Sequence, residues 1–143
     1  MALLVYILTK LKILLMLILN IYLRPKKITS KLRNLMNDQN LNSYIKSVID
    51  ISFLTNKYIN DEEPWKLKNI NNNKMNNILY LSLSQIAKIS ILLNPVIPNS
   101  TLKVLDSLNI QKESQNLDFL DGKNIFKEEI KIKPLDILFK KIN

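Results

Sequence analysis

From Leu41 onward, apolar side chains recur at intervals of three and four, the spacing that lines one face of an α-helix. Leu41, Tyr44, Ile45, Val48, Ile51, Thr55, Tyr58 and Ile59 form a stripe of about five turns, with Asn40 or Asn42 placed to cap it. That helix runs through Asp61-Glu62-Glu63 and stops before Pro64, because a residue preceding proline disfavours αR geometry. A second stripe, Met75, Ile78, Leu79, Leu83, Ile86, Ala87, Ser90 and Leu93, predicts another core helix, capped by Asn73 and ended at Asn94-Pro95. Pro98-Asn99-Ser100-Thr101 supplies proline and capping residues ahead of Leu102, Leu105 and Leu108, which predicts a shorter helix reaching about Ile110. Upstream, Ile28 to Asn37 reads as a short basic helix broken by Asp38-Gln39-Asn40. After Gln111 the pattern weakens, and alternation at 130 to 132 suggests extended chain. The expectation is an all-α helical bundle with an extended C-terminal tail.

The first 23 residues stand apart. They are apolar to Thr9, interrupted by Lys10 and Lys12, and apolar again from Ile13 to Leu23. A spanning helix needs about 20 apolar residues, and a lysine in mid-membrane costs about 2.5–3.5 kcal/mol. No small-residue cleavage site precedes Arg24-Pro25-Lys26-Lys27, so a signal peptide does not fit. The segment reads as a buried or partner-packed helix ending at Arg24-Pro25, with a membrane anchor as the alternative. Residues 1–25 are therefore set off from a bundle over 26–143.

Composition narrows the function. A chain of 143 residues that is 47% hydrophobic suits one domain with an ordinary core. Its net charge of +9 fits a polyanion partner, either nucleic acid or an anionic membrane, although lysine drift in an AT-rich genome would give the same excess. Apart from Arg24 and Arg33 every cation is lysine, which attracts phosphate as a point charge rather than reading bases bidentately. With no His and no Cys, the chain has no Ser-His-Asp or Cys-His nucleophile system, no Cys/His zinc site and no disulfide. Its only glycine, Gly122, rules out a glycine-rich phosphate loop. Asp61, Glu62 and Glu63 are adjacent in a turn, diverge from any single substrate atom and read as a solvated acidic turn. No catalytic residue, metal site or cofactor is expected within this chain.

One stretch remains for binding. Trp65, the only tryptophan, follows Pro64 at the end of a helix carrying Asn56, Lys57 and Asn60. A tryptophan held at a proline corner is a candidate base-stacking platform; the alternative is a ring packed under the bundle edge. For Asn56 the alternative is a helix-turn hydrogen bond, for Tyr58 core packing and for Lys57 simple solvation.

Asn56-Lys57-Tyr58-Ile59-Asn60 followed by Pro64-Trp65 resembles the Asn-Lys/Arg-Tyr-Ile-Asp-x-x-x-Pro-Trp signature of the methionyl-tRNA synthetase anticodon-binding domain, with Asn60 in place of the usual Asp. Leu92-Leu93-Asn94-Pro95-Val96-Ile97-Pro98 is similar to the family's Leu-Leu-x-Pro-Phe-x-Pro, and Leu108-Asn109-Ile110 sits where the family has Leu-Gly-Ile/Leu. Lys133-Pro134-Leu135, with Leu138-Phe139 and Ile142, looks like the closing Lys-Pro-x-Pro-Leu-Phe-x-x-Ile. The blocks occur in family order over about residues 40–143.

The resemblance implies a class Ia synthetase helical bundle in the cytoplasm that binds the CAU anticodon of methionine tRNA. Trp65 would stack on the first anticodon base, and the Pro64 carbonyl would accept from the cytosine amino group. Asn56, Lys57 and Asn60 would contact bases or phosphates, and Lys66 and Lys68 would attract phosphate. ATP and methionine would bind a catalytic domain, because the family's His-Ile-Gly-His and Lys-Met-Ser-Lys-Ser adenylation motifs are missing here. The family's upstream Asn-Leu-x-x-Arg helix has no counterpart in residues 1–25. These departures imply a C-terminal fragment or orphaned reading frame, inactive in aminoacylation alone and dependent on a catalytic domain encoded upstream.

Overall fold

The computed structural model describes residues 25–120, 126 and 131–139, so the apolar stretch of residues 1–23 lies outside the described part. Every regular element described is helical. The α-helices are α1 Pro25–Asn37, α2 Leu41–Glu62, α3 Asn72–Leu93, α4 Pro98–Ser107 and α5 Leu117–Leu120; 3-10 turns cover Pro64–Leu67 and Lys112–Ser114. The chain divides into two compact units, Met1–Ser47 and Val48–Asn143.

In the first unit, α1 buries Leu32 and Thr29. It ends where Gln39 adopts φ 55°, the left-handed region, allowing Gln39 N–H to reach Met36 O at 3.0 Å and Asn40 N–H to reach Leu35 O at 2.8 Å. These bonds satisfy two carbonyls that a helix end would leave open. Asn40 then caps α2, its Oδ1 accepting from Ser43 N–H at 3.2 Å. Tyr44, one turn on, is 3% exposed, and burial pushes its phenol pKa up.

In the second unit, α3 is the central element and packs against α4, α5 and the Pro64–Leu67 turn. Its cap is Asn71 rather than the expected Asn73. Asn71 sits at φ −149° outside the helix, and its side chain accepts from Lys74 N–H at 3.0 Å, whereas Asn73 lies within the first turn. The second half of α3 is enclosed nearly all round: Ala87, Ile91 and Leu92 are buried, and so are Ser82, Ser84, Gln85, Lys88 and Ser90. Ser82 and Ser90 tolerate this by donating back to Ile78 O and Ile86 O, each at 2.8 Å. Of the predicted stripe, Leu79 instead faces solvent. Tyr80 meets Phe126 edge-to-face, with ring centroids 5.9 Å apart.

The short connection after α3 is fixed by Thr101. Its buried hydroxyl lies 2.9 Å from Asn94 Oδ1 and 3.1 Å from both Ile97 O and Pro98 O. Pro98 through Thr101 form the first turn of α4 rather than leading into it, and α4 ends at Ser107, three residues before the expected Ile110. Asn109 causes the earlier stop. At φ 54° it reverses the chain, with Asn109 N–H bonding Asp106 O at 2.9 Å and Ile110 N–H bonding Leu105 O at 2.9 Å.

The tail closes on this helix end. Lys133 N–H donates to Ser107 O at 2.8 Å, Ser107 Oγ donates to Lys133 O at 2.7 Å, and Asn109 Nδ2 donates to Lys131 O. Lys133 Nζ adds an ion pair to Asp106 at 3.0 Å. Residues 131–137 have no regular secondary structure, so this small lattice of bonds holds the segment.

Candidate nucleic-acid interface

The Trp65 corner begins where α2 runs out. Glu63 takes φ 44° and its N–H returns to Ile59 O at 3.1 Å, terminating the helix; Lys66 N–H bonds Glu63 O at 2.9 Å and starts the 3-10 turn. Pro64, which fixes its own φ, is buried, whereas the next side chain, Trp65, is 57% exposed. The turn is seated on α3, so a buried proline and a packed helix support an outward-facing indole. The i→i+3 pattern of a 3-10 turn directs the Pro64 carbonyl to the Leu67 amide.

Asn56, Lys57 and Asn60 are exposed on the last two turns of α2. Neither Asn56 nor Asn60 makes a side-chain hydrogen bond among the described residues, so both amides are available to an incoming group. Tyr58 turns inward and is half-buried; burial, with a smaller contribution from the Glu62 charge, raises its phenol pKa.

The three carboxylates are not simply solvated. Asp61 pairs with Lys57 at 2.6 Å, Glu63 with Lys66 at 2.7 Å and Glu62 with Lys74 at 3.0 Å, the last joining the end of α2 to the start of α3. Two of the lysines expected to attract phosphate thus already hold counter-ions. Lys68 is exposed and has no carboxylate partner among the described residues. Spacing gives a signal for the Lys57–Asp61 pair at i,i+4, but none for Lys74.

Phe53, absent from the predicted stripe, is 68% exposed on the outer face of α2. No cluster of acidic groups able to hold a metal occurs among the described residues, and no helix there is long and apolar enough to cross a membrane.

The profile of the anticodon binding domain of methionyl tRNA ligase matches residues 23–143. The chain is 34% identical over 109 residues to methionine–tRNA ligase of Rickettsia prowazekii (strain Madrid E), covering 76% of this chain and 22% of that protein. It is 38% identical over 81 residues to the Rickettsia felis enzyme, covering 57% of this chain and 16% of the relative. Against the enzyme of Leptospira interrogans serovar Lai it is 28% identical over 107 residues, covering 75% of this chain and 15% of the relative. This chain thus spans about a fifth of the length of the first of these relatives and less of the others. An all-α chain with the Pro64-Trp65 corner, matched by that profile over nearly its whole length, belongs to the anticodon-binding domain family of methionyl-tRNA ligases.

Proposed function

We propose that the chain binds the anticodon loop of methionine tRNA and selects CAU, as the recognition part of methionine–tRNA ligation in the cytoplasm. The observation that carries this is the exposed Trp65 ring on a turn anchored by buried Pro64. Trp65 stacks on the first anticodon base, and the Pro64 carbonyl accepts from the amino group that cytosine has and uracil lacks. Asn56 and Asn60 offer amide donors and acceptors to neighbouring base edges. Lys68 attracts phosphate directly, whereas Lys57 and Lys66 do so in competition with Asp61 and Glu63. Chemistry belongs to a separate catalytic domain, which binds ATP and methionine.

Fluorescence anisotropy with a labelled CAU anticodon stem-loop tests this. Trp65→Ala weakens binding by at least ~1 kcal/mol, the lower end for loss of one stacked base. Equal affinity of the unaltered chain for CAU and an unrelated loop overturns the selectivity.

A further inference from the structure

Phe53 is the most exposed large apolar side chain of α2, on a helix whose opposite side buries Val48 and Thr55. Positions 53, 56, 57 and 60 are separated by three, four and seven residues, so Phe53 shares a face with Asn56, Lys57 and Asn60. That face ends at the turn presenting Trp65. An exposed aliphatic residue alone says little. Here an aromatic ring adjoins two amides that make no side-chain hydrogen bond among the described residues and an ammonium group, the combination that holds single-stranded nucleic acid by its base faces, base edges and backbone.

We propose that Phe53 is a second stacking platform, holding a loop base other than the one on Trp65. This rests on the tRNA-binding reading above. The seven residues from Phe53 to Asn60 span about 10.5 Å along the helix. That is about three base steps at the 3.4 Å spacing of a stacked strand, so one base cannot cover both ends of the face. The local chemistry favours RNA as the occupant: Asn56, Lys57 and Asn60 share the face with Phe53, and of the two residues one turn before it Asp50 is polar and Ile49 is only 37% exposed. A docking face for another protein would extend the apolar surface further.

The test places 2-aminopurine at each loop position of a CAU anticodon stem-loop in turn and reads fluorescence with the full chain. The unaltered protein quenches at least one position besides the first anticodon base. Phe53→Leu abolishes that quench and weakens binding roughly fivefold or more, Phe53→Trp restores both, and Trp65→Ala leaves the quench in place when the RNA is saturated. If Phe53→Leu matches the unaltered protein in quenching and affinity while Trp65→Ala still loses affinity, the second platform is overturned and anticodon binding stands. If the unaltered chain binds no stem-loop, both readings fall. Loss of self-association or of binding to a ligase catalytic domain, with RNA binding unchanged, assigns the face to protein and also overturns the proposal.

Discussion

At the scale of single residues, Tyr58 shows how the corner is fixed from inside. It lies between the outward-facing Asn56, Lys57 and Asn60, and its turn inward is what the stripe Thr55-Tyr58-Ile59 requires. Its ring is half-buried and Glu62 is nearby, so both burial and charge oppose forming the phenolate. An unfolded tyrosine titrates near pH ~10, and the folded one above it. The neutral ring's contribution to stability is therefore complete below that unfolded value and is lost as pH rises through the folded one. Denaturant titrations from pH ~9 to pH ~11 should show stability falling more steeply for the unaltered protein than for Tyr58→Phe; parallel curves would remove Tyr58 from the account. Among the buried residues that spacing did not mark are polar ones. Ser84 Oγ and both amide atoms of Gln85 are buried without a hydrogen-bond partner among the described residues, and polar identity gives no warning of that. Asn71 was harder to identify because Asn71, Asn72 and Asn73 are chemically identical caps, and only backbone geometry separates them.

At the scale of elements, the helices were legible because they are long and periodic, whereas their ends depended on local chemistry. Pro64 and Pro95 announce two boundaries. The end of α4 does not announce itself, since it depends on Asn109 accepting a left-handed conformation where the resembling family pattern has glycine. Asparagine is one of the few side chains that visits this region readily. It also donates to Lys131 O, so one residue both terminates α4 and helps hold the tail. The Lys133-Pro134 block was visible only as a motif, and its partners Asp106 and Ser107 lie too far away in sequence for any period to reveal. Two substitutions separate the roles of Asn109. Asn109→Gly keeps the backbone geometry and loses only the tail bond, at a cost of about 1 kcal/mol. Asn109→Val also forces a β-branched residue into the left-handed region, adding about 1–2 kcal/mol. Urea midpoints should therefore fall in the order unaltered, Gly, Val; equal midpoints for Gly and Val would show that the turn conformation is not limiting.

At the scale of the whole molecule, the net charge of +9 overstates what a polyanion meets at the Trp65 corner. Lys57, Lys66 and Lys74 are matched one for one by Asp61, Glu63 and Glu62, so these six side chains add no net charge there, and Lys68 is left as a cation of the corner with no carboxylate partner among the described residues. The Lys57–Asp61 and Lys66–Glu63 pairs are exposed, and such pairs contribute little to stability, at most about 1 kcal/mol. Their larger effect is on binding: an RNA phosphate must compete with a carboxylate already in contact with each ammonium. Asp61→Asn combined with Glu63→Gln keeps the side-chain shapes and frees both lysines. If the stem-loop passes within reach of them, up to two additional phosphates are neutralised. For single-stranded nucleic acid this steepens the dependence of log affinity on log salt by up to ~1.4, since each neutralised phosphate contributes about 0.7. Binding should then be tighter at low ionic strength and converge on the unaltered protein at high ionic strength, as anisotropy titrations across a salt series would show. An unchanged slope would mean that the backbone does not pass the acidic side of the corner, leaving Lys68 and the aromatic rings to hold the loop.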